Sequence, residues 1–331
     1  MNSFKALVAD KTDEGTEMSV KSLNIDDLSE GDVLIDVHYS SVNYKDGMVA
    51  AKGQIAEYFP IIPGIDLAGE VIESTDDKFK KGDSVIATSY KIGTGISGGF
   101  SEVARVPAKY VVPLPDGMTL KESMELGTAG FTAGISISKL EQAGMTPDNG
   151  EVLVTGASGG AGSLAISMLA ALGYDVVAST GSIDEKDYLT SLGAAKVIHR
   201  DDVVNDSEKP VNKPQYQAAI DPVGGKTTEY IIKTLKPEGA LATFGLVGGI
   251  QVNTTVLPFI GRGIHWLGVD SVFYPMKQRI KVWDRLAKDL KPKILDKDVV
   301  NEVSLEELPQ VLHDIIDGKV RGRTIVNLKN K

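Results

Sequence analysis

Residues 152–162 read "VLVTGASGGAG", an apolar run that meets four glycines, Gly156, Gly159, Gly160 and Gly162, and continues into the helical stretch "SLAISMLAAL". Glycine lets the backbone turn sharply and approach a charged group closely. The N-terminus of the helix that follows favours an anion through its free N–H groups and its dipole. The spacing therefore predicts a strand, a phosphate-cradling loop and a helix, the pattern of a dinucleotide site. A Gly-rich turn that holds nothing has the same local sequence, so the flanking segments must decide.

Downstream, strand-like and helix-like segments alternate: "YDVVAS", a helix over "EKDYLTSLG", "KVIHR", "YQAAID", a helix over "TTEYIIKTL", "ALATFG" and "IHWLGVD". Such alternation predicts a parallel sheet with helices on both faces. Upstream, as far as about residue 112, the segments are short and punctuated by turn residues: "KALVA", "DVLIDVHYS", "AGEVIES", "GDSVIAT", "GGFSEVARV" and "KYVVPL". They predict a mostly β domain. The period changes at "TLKESMEL", and residues 127–144 carry apolar side chains at helical spacing. Helices are expected near 276–290 and 304–317, before a last strand over "GRTIVNL". A chain of 331 residues fits two domains.

Composition removes several functions. The chain has no Cys and only four scattered His, which excludes disulfides, thiolate nucleophiles and Cys-bearing zinc or iron–sulfur sites, so no metal is expected. A net charge of −10 opposes nucleic-acid binding, which needs a basic face. The apolar window around 164–178 contains a Gly and an Asp and falls short of a spanning helix, so no membrane partner is expected. No export signal is visible in "MNSFKALVAD", and a cytoplasmic location is the expectation.

The strand after the Gly-rich loop selects the nucleotide. In an NAD site a carboxylate ends that strand and binds the ribose 2′-hydroxyl. Here Thr180, Gly181 and Ser182 follow, with no acid until Asp184 and with Lys186 and Arg200 further on. Hydroxyls, N–H groups and a cation suit a 2′-phosphate, which favours NADPH. The competing reading makes Lys186 and Arg200 solvated surface charges. "TGASGGAG" also fits the cofactor loop of short-chain dehydrogenases, but about 150 residues precede it and no Tyr is followed by Lys four positions later. That family is excluded.

The ordered set "SSVNYKDGM", "FPIIPGIDLAGEV", "GGFSEVARV", "LGTAGFTA", "VLVTGASGGAG", "SLGAAKVIHRDD", "FGLVGGI" and "GRTIV" resembles the medium-chain dehydrogenase/reductase superfamily. Within it the chain is most similar to the zinc-free branch that contains acrylyl-CoA reductases and quinone oxidoreductases of the YhdH/YhfP type. The resemblance implies an α/β protein: a GroES-like β-rich catalytic domain over 1–122 and 272–331, and a doubly wound Rossmann domain over 123–271. It further implies cofactor contacts at Tyr44, Ser158, Gly159, Gly160, Ala161, Thr180, Gly181, Ser182 and Arg200, with Thr128, Leu246 and Arg323 near the nicotinamide or pyrophosphate. A homodimer is implied as well, and the run "GALATFGLVGGIQVNTTVLPFIG" could supply its edge strand.

Residues 40–48, "SSVNYKDGM", hold the candidate catalytic group, Tyr44 with Asn43 and Asp46. Asn43 and Asp46 have the spacing of a capping box, which competes with a catalytic role for both. Capping gives Tyr44 no task, so its phenol is the candidate donor to a substrate carbonyl. Asp66 is expected to fix a turn, and Glu102 to accept a structural hydrogen bond. Trp266 and Trp283 are expected in a core or an interface. Three functions follow: reduction of a short enoyl-CoA, reduction of a quinone, or NADPH binding without turnover.

Overall fold

Strands dominate the first part of the chain because apolar and polar residues alternate there between closely spaced turn residues. The computed structural model describes residues 3–13, 15–204, 207–292 and 299–329. In order, the elements up to the domain boundary are β1 (Phe4–Thr12), β2 (Gly15–Leu23), β3 (Val33–Ser41), α1 (Tyr44–Ala50), β4 (Asp66–Ser74), β5 (Ser84–Thr88), β6 (Val103–Val106), β7 (Val111–Pro113) and α2 (Leu120–Gln142). Then come β8 (Val152–Val154), α3 (Gly160–Ala171), β9 (Val176–Thr180), α4 (Lys186–Ser191), β10 (Lys196–His199), β11 (Tyr216–Asp221), α5 (Gly225–Thr234), β12 (Leu235–Thr243), α6 (Leu257–Arg262) and β13 (His265–Gly268). The chain closes with α7 (Met276–Leu286), β14 (Val300–Val303), α8 (Leu308–Ile316) and β15 (Arg323–Asn327).

These elements form two units. The first contains the described residues through Thr128, then Val272–Ala287 and 299–329. Its sheet runs β14-β15-β3-β4-β5-β7, with β6 also paired to β3, and β1 and β2 form a separate hairpin. Only the β14–β15 pair is parallel; the others are antiparallel. The core joins Leu7, Ile35, Val37, Leu67, Val85 and Phe100, and α1 and α8 pack on one another, with Gly47 against Leu312 and Ile316.

The second unit holds Ala129–Ser271 and 288–292. All six of its strands are parallel, in the order β10-β9-β8-β11-β12-β13. Numbered within the unit, that is the doubly wound order 3-2-1-4-5-6, whose direction of winding reverses between β8 and β11. Helix α3 carries no charged residue and is buried from Gly162 to Leu169, as expected of a helix that packs directly on the sheet.

The α/β class and the doubly wound sheet match the sequence reading; three details differ from it. Strands β2 and β14 were not read, because "GTEMSVKSL" is polar on most positions and "VNEV" is short. Helix α2 begins seven residues before the expected 127 and is broken at Gly127 (φ 53°, ψ −154°). The expected edge strand over "GALATFGLVGGIQVNTTVLPFIG" is corrected. Its first residues belong to β12, which lies inside the sheet, and its last residues form α6, so the edge strand on that side is β13. Pro258 explains the helix, since a Pro near a helix start costs no hydrogen bond whereas inside a ladder it would. No helix among the described residues is long and apolar enough to cross a membrane.

Candidate active site and nucleotide-binding loops

In the first unit the chain leaves β3 extended at Asn43 (φ −128°, ψ 158°) and turns into α1 with Tyr44 as its first residue. The Asp46 carboxylate reaches back to accept the Asn43 N–H at 2.7 Å, so the capping contact is present. It does more than cap. Its other oxygen accepts the Ile65 N–H at 2.8 Å, which ties the first turn of α1 to the segment leading into β4. Tyr44 stays out of this network, with its side chain 46 % exposed.

The next residue of that segment, Asp66, is fully buried and gathers the others. One carboxylate oxygen accepts the Ser41 hydroxyl at 2.7 Å, the Asn43 amide at 2.8 Å and the Thr128 N–H at 2.8 Å. The other oxygen accepts the Thr128 hydroxyl at 2.5 Å. Because a carboxylate can only accept, the orientation of the Asn43 amide is fixed, with its NH₂ towards Asp66.

Arg323 lies buried beside this cluster and donates to the carbonyls of Val42 and Glu125, each at 3.1 Å. Burial lowers its pKa, while the nearby Asp66 and Asp46 carboxylates work the other way. Asp46 is pushed from its ordinary 3.8 up to about 7, first by burial and then by the Asp66 charge, against the stabilising N–H groups of Asn43 and Ile65. Gly127 is required here. A Cβ on its left-handed backbone would stand 2.7 Å from both Arg323 Nη2 and Asp66 Oδ2 and would strike the Ser41 hydroxyl.

In the second unit the loop after β8 places Ser158, Gly159, Gly160 and Ala161 at the start of α3, all partly exposed. Gly156 has φ +55°, and a Cβ on Gly162 would run into the Gly156 carbonyl. The tightness of this turn leaves backbone N–H groups at the head of a 12-residue helix, which fits a dinucleotide pyrophosphate. At the end of β9 the Thr180 hydroxyl is buried and accepts the Ser182 N–H at 3.3 Å, while Gly181 and Ser182 are exposed. The exposed Arg200 lies across Gly181, its Nη1 3.0 Å from where a Cβ would be. Leu246 is 63 % exposed in the loop after β12.

The fold thus gathers Asn43, Asp46, Thr128 and Arg323 around Asp66. It separately gathers Ser158–Ala161 and the Thr180–Ser182 and Arg200 group at the strand ends of the parallel sheet. Two residues escaped the sequence reading: Asp66, read as a turn former, and Asp221, which ends β11 fully buried. Both are single acids at the end of an apolar run, and that is the signal that could have found them. Glu102 accepts the Lys5 N–H at 2.7 Å, as expected. Trp283 is fully buried, whereas Trp266 is 42 % exposed on β13. Among the described residues no group of three or more His, Asp or Glu could hold a metal.

The sequence matches the family models of the alcohol dehydrogenase GroES-like domain over residues 29–116 and of the zinc-binding dehydrogenases over 160–288. YhfP of Bacillus subtilis, which carries a quinone oxidoreductase name, is 50 % identical over 98 % of this chain and 99 % of its own. Its structure with NAD bound superposes with a TM-score of 0.96. The acrylyl-CoA reductase AcuI of Ruegeria pomeroyi is 42 % identical over 98 % of this chain and 99 % of its own. The yhdH oxidoreductase of Salmonella enterica, solved in complex with NADP, is 42 % identical, with 98 % of this chain and 100 % of that one covered and a TM-score of 0.95. The chain belongs to the medium-chain dehydrogenase/reductase superfamily of nicotinamide-dependent oxidoreductases, in the family that includes these YhfP, YhdH and AcuI proteins.

Proposed function

We propose that this oxidoreductase is an NADPH-dependent, zinc-independent reductase of short α,β-unsaturated acyl-CoA thioesters, of the acryloyl-CoA to propionyl-CoA type. The observation that carries the reading is Tyr44, an exposed phenol on a turn that buried carboxylates hold rigid. The activity named for AcuI supports the substrate class. The absence of Cys supports independence from zinc.

Bound NADPH would supply a hydride to the β-carbon of the substrate. As the C=C electrons shift towards the thioester carbonyl, its oxygen becomes an oxyanion that needs a positioned donor. The Tyr44 hydroxyl would donate to that oxygen or pass its own proton to the α-carbon, with solvent then reprotonating the phenolate. Asn43 and Asp46 hold the turn, and the GroES-like unit is the catalytic one. Tyr44→Phe, which keeps the ring and removes only the hydroxyl, should lower kcat at least ~100-fold; turnover near wild type would remove the role.

NADPH is preferred to NADH because no acid stands at Thr180–Ser182 and because Arg200 offers a cation there. The bound NADP of the yhdH structure supports this, whereas the yhfP structure holds NAD. NADPH oxidation with acryloyl-CoA, crotonyl-CoA and benzoquinone, with NADH in parallel, tests the whole reading. Quinone turnover with inert thioesters would select the second reading, which the name of YhfP favours. Binding without turnover would make the protein a sensor.

A homodimer is part of the proposal. It is supported by the β13 edge and by the exposed Val247, Ile250, Val256 and Ile260 in the same unit, and sedimentation analysis tests it. The same proposal puts the reaction in the cytoplasm.

A further inference from the structure

We infer that Asp221 is a positioning residue for the cofactor: its buried carboxylate locks together the two loops that would hold the pyrophosphate and nicotinamide parts of the dinucleotide. The inference rests on the NADPH reading above.

Asp221 ends β11, beside β8, at the point where the winding of the sheet reverses and where open α/β sheets bind ligands. One oxygen accepts the hydroxyl of Thr155, the residue immediately before the Gly-rich loop, at 2.7 Å, and the Val223 N–H at 2.9 Å. The other accepts the Thr228 hydroxyl at 2.5 Å, from the first turn of α5. Gly224 N–H lies 3.3 Å from both oxygens. The carboxylate therefore fixes the turn 222–225 and binds it to the end of β8.

Both loops rest on that turn. A Cβ on Gly156 would meet the Pro222 ring at 2.9 Å, so the phosphate loop packs directly against it. From the other side the Gly248 N–H donates to the Val223 carbonyl at 2.7 Å, and Gly249 bridges Gly224, which seats the loop that carries Leu246. A Cβ on Gly245 would strike the Pro222 carbonyl. None of the hydrogen bonds of Asp221 goes to Thr180–Ser182 or to Arg200, the part read as the 2′-phosphate site.

The asymmetry gives the test. Thr155→Val removes only the arm that reaches the phosphate loop and should weaken NADPH binding, read by calorimetry, about tenfold, the loss expected for one hydrogen bond to a buried carboxylate. Adenosine 2′-monophosphate, which has neither pyrophosphate nor nicotinamide, should bind within about twofold of wild type. Thr155→Ser, which keeps the hydroxyl, should restore NADPH affinity. If Thr155→Val does not fold, Thr155→Ala carries the same expectation with less steric demand. Unchanged NADPH affinity, or equal weakening of both ligands, would overturn the inference. Wild-type protein that binds neither ligand would instead overturn the NADPH reading beneath it.

Discussion

Each unit is organised around one fully buried aspartate, Asp66 at the start of β4 and Asp221 at the end of β11. Both accept hydrogen bonds from Thr hydroxyls and from backbone N–H groups. They differ in how the negative charge is met. Asp221 sits at the N-terminus of α5, where N–H groups and the helix dipole face it, and the hydroxyls and N–H groups that donate to it are neutral. Asp66 shares its site with a second acid, Asp46, and with the buried Arg323. A carboxylate met by dipoles makes a rigid joint between loops. Two acids around one cation make a joint whose charge depends on pH, and that is the joint on which Tyr44 stands.

The largest expected effect comes from removing the charged centre. Asp66→Ala leaves buried Arg323 with one nearby acid in place of two, and it strips the acceptor from Asn43, Ser41 and Thr128. A loss of about 3–5 kcal/mol in urea unfolding is expected, the range for breaking a buried ionic cluster. A loss below ~1 kcal/mol would show that solvent or Asp46 can replace the carboxylate, and the contrast between the two joints would fail. Next is Gly127→Ala, which adds strain at φ 53° and forces a methyl group between Arg323, Asp66 and Ser41. About 2 kcal/mol is expected.

The pH dependence follows from Asp46. Its folded-state pKa of about 7 lies above its ordinary 3.8, so the folded protein holds a proton that the unfolded chain has released. Stability from this group is complete below about pH 4 and is lost as the pH rises through about 7, with a slope of at most about 1.4 kcal/mol per pH unit. Carboxylates held low, such as Glu302 and Glu306, run the other way, so the decline is read as the difference between the urea-unfolding pH profiles of the wild type and Asp46→Asn. An unchanged slope in that variant would place the titrating group elsewhere.

The sequence made the second unit almost fully legible. Its strand-loop-helix order depends on short-range signals: glycines at a turn, apolar runs of strand length and helical periodicity. The first unit was legible only in outline. Asn43 and Asp46 could be paired because they are three residues apart. Asp66 could not be joined to Thr128, 62 positions away, nor Arg323 to Val42, because such pairs exist only once β3, β4 and β15 lie side by side. Asp221 escaped for a related reason. Its partner Thr155 comes 66 residues earlier, and only the reversal in strand order brings them together. The Arg323 guanidinium donates to backbone carbonyls of its own unit, a use that no local pattern announces.

The smallest expected effect sharpens the comparison at the edge of the second unit, away from either aspartate. Gly181 lets Arg200 lie over the end of β9, with guanidinium atoms 3.0–3.2 Å from the absent Cβ. The nearest atoms that the Gly181→Ala methyl would meet belong to the flexible, exposed Arg200 side chain, so the fold should tolerate it and Arg200 should swing aside. If Arg200 reads the 2′-phosphate, the preference for NADPH over NADH in kcat/KM should fall by about threefold, well under 1 kcal/mol, with NADH turnover itself unchanged. The carboxylate joints do not touch this corner, so thermal stability should not move with it. A preference that stays constant while Arg200 is displaced would leave Thr180 and Ser182 as the readers of the phosphate, and Arg200 as a solvated surface charge.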